Sequence, residues 1–231
     1  MSIYVLTFPG SNCDKDAIKA AQFLGYNAHL LWHQETQIPS DAKLVIIPGG
    51  FSWGDYLRTG AISARAPIIE ALKDYAHKGG YVLGICNGFQ ILCESGLLPG
   101  ALLQNKGQDF IAHPCYLKVQ DNSSKWLVKY PKDSIVNFPI AHHDGCFWAD
   151  EHIIEEIEQN NQVMLRYCDA DGNINDATNP NGSINNIAGI CNKAGNVVGM
   201  MPHPERNVDT LISWGILAGS GKPLFQSIME G

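Results

Sequence analysis

No two of the seven cysteines stand in a C-x-x-C arrangement; they are scattered singly along the chain. That argues against a zinc knuckle and against a dense disulfide scaffold, and it points to free thiols in a reducing compartment, the cytoplasm. No apolar run reaches the roughly 18 residues of a membrane-spanning helix. The first residues lack the basic cluster and long apolar stretch of a secretory signal. Basic residues are in the minority, 16 Lys and Arg against 23 Asp and Glu, so no positive field gathers nucleic acid. A phosphate loop is missing too. Gly219-Ser220-Gly221-Lys222 is followed by Pro223 where Ser or Thr is required, and Ile216 occupies the place of the first glycine. With no dinucleotide fingerprint either, no nucleotide or other cofactor is expected on this chain. Repeats, low-complexity tracts and composition shifts are also absent, which leaves one domain over residues 1–231.

What is there is ordinary globular composition, 45% apolar and 17% charged. Over the first hundred residues, short apolar runs alternate with helical spacing. Strands are predicted at 3–8, 28–32, 44–47 and 81–85. Between them, Ala17, Ile18, Ala21 and Leu24 mark one helix, closed by Gly25. Pro67 opens another, which carries Ile68, Ile69, Leu72, Tyr75 and Ala76 and ends at Gly79-Gly80. A third follows the fourth strand directly, through Gln90 to near Gly96. This alternation predicts an α/β fold, a flavodoxin-like three-layer domain with a mostly parallel central sheet. Sites in such folds lie in the loops after the strand carboxyl ends. The pattern then changes. Residues 116–119 and 135–140 read as antiparallel strands, 153–157 as a short helix and 169–186 as a long loop. Residues 187–191 and 197–200 flank a hairpin turn, and helices are predicted at 210–217 and 224–229. The sheet is therefore expected to carry an antiparallel extension.

Gly84-Ile85-Cys86-Asn87-Gly88 lies where the fourth strand turns into its helix. It is the thiol counterpart of the nucleophile elbow. Glycines on either side permit a tight turn that pushes the central side chain into the cleft. The first helical N–H groups favour a thiolate there, and the N–H of Asn87 is placed for a developing oxyanion. Alone, the motif reads equally well as a small buried cysteine, which is how Cys93, inside the same helix, is read. A base is supplied by Met201-Pro202-His203-Pro204-Glu205. Residues before proline are extended, so His203 and Glu205, two apart, are expected on one side of an extended segment. The plainer reading is a proline-rich surface turn with an incidental ion pair. Pro48-Gly49-Gly50-Phe51-Ser52 could bring a second oxyanion donor close to substrate, or be an ordinary turn.

Together these segments resemble the class I, triad-type glutamine amidotransferases. The likeness runs nearly end to end, through PGSNCD at 9–14, IPGGFSWGDYLRTGAI at 47–62, GICNGFQIL at 84–92, GLLPGAL at 96–102, NPNGS at 179–183, IAGI at 187–190 and GNVVGMMPHPER at 195–206. GGFSWGDYLR and MMPHPER resemble one branch, that of purine biosynthesis. The resemblance implies that Cys86 is the nucleophile, His203 the base and Glu205 the third triad member. It implies that Gly49, Gly50, Phe51 and Asn87 form oxyanion and glutamine-binding positions, and that Gln90 holds the glutamine head group; a solvent-facing Gln90 is the alternative. Ammonia would pass to a separate synthetase subunit, with ATP and magnesium there, that converts formylglycinamide ribonucleotide to the amidine. A small third subunit often joins such complexes. The stretch Ala141-His142-His143-Asp144-Gly145-Cys146-Phe147 departs from the branch pattern after His142. Its His-His-Asp run also admits a metal reading, disfavoured because adjacent side chains rarely converge on one ion. The Gly49 to Arg58 loop carries Trp53, Tyr56 and Leu57, residue types suited to an interface. Rival readings are another cysteine hydrolase on the same fold and a non-catalytic scaffold.

Overall fold

The computed structural model describes residues 1–120, 124–209 and 217–231. The chain runs β1 (Ser2–Thr7), α1 (Asp14–Phe23), β2 (Ala28–Trp32), β3 (Ala42–Ile47), α2 (Pro67–His77), β4 (Tyr81–Ile85) and α3 (Asn87–Glu94). Then follow β5 (Ala101–Leu103), β6 (Ile111–Val119), β7 (Ile135–His142), β8 (Cys146–Trp148), α4 (Glu151–Gln159), β9 (Val163–Cys168), β10 (Ile187–Cys191), β11 (Val197–Met200) and α5 (Lys222–Met229).

Nine strands form one sheet in the order β2-β1-β3-β4-β11-β10-β9-β6-β7. From β2 to β11 every pairing is parallel. From β11 to β7 every pairing is antiparallel. β5 and β8 make a separate antiparallel ribbon. The expected architecture is present, and the predicted elements of the parallel half sit within a residue or two of the observed ones.

The inner parallel strands β3 and β4 are nearly continuous apolar runs because both faces are covered, whereas edge strand β2 buries only Leu31. Leu44, Val45, Ile46 and Ile47 of β3 are all buried, as are Val82, Leu83 and Ile85 of β4. Helix α2 starts on Pro67 and buries Ile68, Ile69, Leu72 and Ala76. Helix α3 is buried from Asn87 through Leu92.

Beyond β11 the sequence was less transparent. The predicted strand at 116–119 extends back to Ile111, through Pro114, which faces Pro139 of β7 across the ladder. The short helix at 153–157 grows to the whole of α4. β5, β8 and β9 were not anticipated. Two of these are only three residues long, too short to show a period. The 169–186 loop carries two single 3-10 turns, Asp176–Thr178 and Ile184–Asn186. Its long irregular backbone is held by asparagine side chains: Asn175 caps the first turn, and Asn186 Nδ2 donates to the carbonyls of Tyr167 and Asn175. The helix predicted at 210–217 falls, apart from Leu217, outside the described residues. Among the described residues no helix is long and apolar enough to cross a membrane.

Candidate active site

Cys86 links β4 to α3 with φ +52° and ψ −107°. A non-glycine residue in such a conformation costs of order 1–3 kcal/mol and persists only when its surroundings over-determine it. Here they do. Its N–H donates to the Met200 carbonyl of neighbouring β11 at 2.7 Å, and its carbonyl accepts from the N–H groups of Phe89 and Gln90. Helix α3 is pressed against the ends of β3 and β4. A Cβ on Gly88 would stand 1.9 Å from the Ile47 carbonyl oxygen, and one on Gly84 would stand 2.7 Å from the Gly88 backbone. Glycine is required at both positions by close approach. The thiol Sγ lies 3.6 Å from the Ala141 carbonyl at the end of β7.

His203 and Glu205 follow β11. Nδ1 of His203 and Oε1 of Glu205 are 2.6 Å apart, and both side chains are 1% exposed. The pairing is as expected, but its geometry is not. His203 alone approaches extended backbone, at φ −103° and ψ 87°, and Pro204 opens a 3-10 turn over Pro204–Asn207. The carboxylate therefore reaches the ring by turning back on itself, not by the alternation of an extended chain. The backbone N–H of His203 donates to the Pro139 carbonyl at 2.8 Å, which anchors the segment that carries the ring.

Burial alone would lower the His203 pKa; the Glu205 carboxylate, reinforced by the Cys86 sulfur, outweighs it and holds the group at about 9. Among the described residues, Nε2 is left without a hydrogen-bond partner of ordinary geometry. The two side chains flank one small space: a Cβ on Gly49 would be 2.7 Å from His203 Cε1 and 3.3 Å from Cys86 Cβ.

The predicted oxyanion positions separate. The Phe51 N–H donates to the Gly10 carbonyl, so it is not free for a ligand. The N–H groups of Gly50, at φ +139°, and of Asn87 are donated to no described group. Gln90 is buried, not solvent-facing. Its Oε1 accepts from Asn87 Nδ2 at 2.9 Å and its Nε2 donates to the Asp144 carbonyl at 2.6 Å. It thus ties the helix start to the 142–146 segment.

Several further residues surround the site to which the sequence alone assigns no role. Cys13 Sγ lies 3.1 Å from Arg206 Nη2, and its pKa is pushed up to about 12, chiefly by burial. Asp55, with left-handed backbone at φ +55°, buries Oδ1 without a partner. Its pKa is raised to about 6 by burial and by Asp144. Asn105 holds His142 and Gly145 together. Cys13, Asp55 and Arg206 lie in separate segments that carry the family resemblance, and only the folded loops bring those segments close. His143 bonds Asp144, and among the described residues no three His, Cys, Asp or Glu groups converge as metal ligands. A cavity of about 630 Å³ is bounded by Glu205, Arg206, Asp16 and Ile140, but Cys86 is not in its wall.

The profile of the CobB/CobQ-like glutamine amidotransferase domain matches residues 1–226. The phosphoribosylformylglycinamidine synthase subunit PurQ of Thermosynechococcus vestitus is 49% identical, covering 99% of this chain and 96% of that protein. The PurQ subunit of Sulfurimonas denitrificans is 52% identical, covering 92% and 93%. Among solved structures, PurLQS from Thermotoga maritima aligns at TM-score 0.86 and 39% identity, over 99% of this chain and 97% of that one. A glutamine amidotransferase from the same organism aligns at TM-score 0.56 and 15% identity, over 89% and 76%, a likeness of fold alone.

Proposed function

We infer that this chain, which belongs to the CobB/CobQ-like glutamine amidotransferase family and within it to the PurQ subunits of phosphoribosylformylglycinamidine synthase, is a glutaminase. It releases ammonia from glutamine for a synthetase subunit that converts formylglycinamide ribonucleotide to formylglycinamidine ribonucleotide. The observation that carries the reading is the strained Cys86 beside the buried His203–Glu205 pair, in a chain about half identical to PurQ subunits over its full length. That setting does not suit a non-catalytic scaffold. Purine synthesis runs in the cytoplasm, where cysteine thiols stay reduced.

We propose the following chemistry. The Cys86 thiolate attacks the carboxamide carbon of glutamine; a C–S bond forms and the carbonyl electron pair moves to oxygen. The N–H groups of Asn87 and Gly50 receive that oxyanion, while the Phe51 N–H is engaged by the Gly10 carbonyl. As the C–N bond breaks, the His203 imidazolium gives its Nε2 proton to the departing nitrogen, and ammonia leaves. Water then attacks the thioester, His203 takes its proton, and the C–S bond breaks to release glutamate. Glu205 holds the ring and its charge throughout. Gln90 acts by positioning the 142–146 segment. Partners are the synthetase subunit, with its ATP and magnesium, and a small third subunit. The exposed Trp53, Tyr56 and Leu57 form the strip on which the synthetase docks.

The test uses the assembled complex and glutamine labelled with ¹⁵N in its carboxamide. The label should appear in the amidine product, with one glutamate released per amidine. No glutamate release would overturn the reading.

A further inference from the structure

His203 must both give a proton and take one, so its ring alternates between imidazolium and imidazole. Glu205 is enclosed throughout. Its side chain is 1% exposed, and Oε2 is buried with no partner among the described residues. While the ring is charged, the two groups neutralise each other. Once the proton has left with ammonia, a bare carboxylate is shut inside the protein. Such a group either takes up a proton or needs another cation beside it.

Arg206 supplies that cation. Among the described residues it is the only other group ion-paired with the carboxylate, its Nε 3.9 Å from Glu205 Oε1. The guanidinium is held in place from α1. Nε donates to Asp16 Oδ2 at 3.1 Å, and Nη2 donates to Cys13 Sγ at 3.1 Å. Neither partner cancels the charge where it matters. Burial keeps the Cys13 thiol protonated. The Asp16 side chain is 41% exposed, so water screens it, whereas Glu205 is dry.

We propose that Arg206 is a positioning residue of the reaction: clamped by Asp16 and Cys13, its charge keeps Glu205 an anion when the His203 ring is neutral, and so lets the ring release its proton to the departing nitrogen. The inference rests on the glutaminase reading. A guanidinium beside the pair disfavours a second cation on the ring. Removing it should therefore make His203 hold its proton to higher pH. The other titratable groups against the pair are Cys86 at the elbow, Cys13 and Asp16 at the start of α1, and His142 at the end of β7. Burial leaves Cys13 and His142 uncharged near neutral pH. Lys19, His113 and Asp209 line the adjoining cavity.

Glutamate release by the assembled complex, followed from about pH 6 to about pH 10, reads the alkaline limb of activity. Arg206→Met removes the charge, and Arg206→Gln removes it while keeping a donor toward Asp16. In both, the limb should move up by about one pH unit. That is the reverse of the shift expected when Glu205 itself is neutralised. At neutral pH kcat should fall about tenfold, because a more basic ring is a weaker acid, with KM for glutamine within about twofold of wild type. Arg206→Lys should bring the limb most of the way back. Asp16→Asn keeps the guanidinium and removes its exposed partner, so the limb should not rise. Loosening of the fold lowers activity at every pH and moves no limb, so an upward shift supports the proposal even in a variant that melts early. A limb that stays in place or moves down in both neutral variants, or one that rises equally in Asp16→Asn, would overturn it. A wild-type complex that releases no glutamate would instead remove the glutaminase reading, and this inference with it.

Discussion

The two halves of the nine-stranded sheet hold together by different means. From β1 to β11 the inner parallel strands are buried mainly by apolar side chains. Around β6 to β9 and the β5–β8 ribbon the apolar core continues through Leu117, Val136, Phe138, Ile140 and Leu165, but buried asparagines hold the long loops between the strands. Asn105, Asn181 and Asn186 each bond carbonyls or N–H groups that irregular backbone leaves open. The site lies on the seam. The parallel half supplies Cys86, Asn87 and Gly50. The strand where the pairing changes direction, β11, leads into His203 and Glu205. The antiparallel half supplies the wall at 141–145. A rigid apolar scaffold thus presents the nucleophile, while a hydrogen-bonded one shapes what faces it.

Damage to the first half should be the most severe. Gly88→Ala would drive a methyl group into the Ile47 carbonyl at 1.9 Å, where backbone meets backbone and neither side chain can yield. About 3 kcal/mol of stability should be lost, with glutamine hydrolysis falling more than about a hundredfold as the elbow shifts. Urea unfolding and turnover read the two effects. Near-wild-type values would mean that α3 is not locked to β3.

At the seam the expected signature is a change in pH dependence. The His203 pKa, held at about 9 by Glu205 against burial, is above the ordinary value of 6.5. Its protonation therefore stabilises the fold fully below about pH 6.5, and that contribution is lost as pH rises through about 9. Activity that needs the imidazolium should fall over the same upper limb. In Glu205→Gln, burial is opposed only by Cys86, so the limb should move to lower pH and kcat/KM at pH 8 should drop about 10- to 100-fold. An alkaline limb unmoved by this substitution would deny the coupling.

The second half should fail more gently. Asn181, fully buried, donates to the Gly145 carbonyl and accepts from the Ser183 N–H. Asn181→Ala strands the Ser183 N–H and leaves the Gly145 carbonyl only the longer bond from Ser183 Oγ at 3.3 Å, at a cost of about 1–3 kcal/mol. KM for glutamine should rise more than kcat falls, because the wall loosens while Cys86 and His203 stay in place. A loss confined to kcat would reverse the assignment of roles to the two halves.

The same division explains what the sequence disclosed. Apolar runs, Pro67 and the glycines around Cys86 act locally, so strands, helix starts and the elbow were readable from spacing. His203 and Glu205 were readable as a pair, although the 3-10 turn that joins them was not, because proline before Glu205 suits either backbone. The loss of the Phe51 N–H to Gly10 depends on a contact between two loops about forty residues apart, which no local pattern encodes. β5 and β8 are too short for periodicity. β9 begins with the apolar Val163-Met164-Leu165 and was legible but passed over. The partner of His142 is Asn105, whose surroundings in sequence say only that it lies in a loop.

The central claim is that one thiol of seven is the nucleophile. Burial pushes the thiol pKa up to about 12 for Cys13 and to about 11 for Cys168, and raises it further for Cys93 and Cys115. Those groups stay protonated and slow to react. Mass spectrometry after treatment with the chloroketone analogue of glutamine should find one label per chain, on Cys86, with glutamine hydrolysis lost in proportion and protected by excess glutamine. A label on Cys13 or any other cysteine, with activity lost in step, would contradict the account.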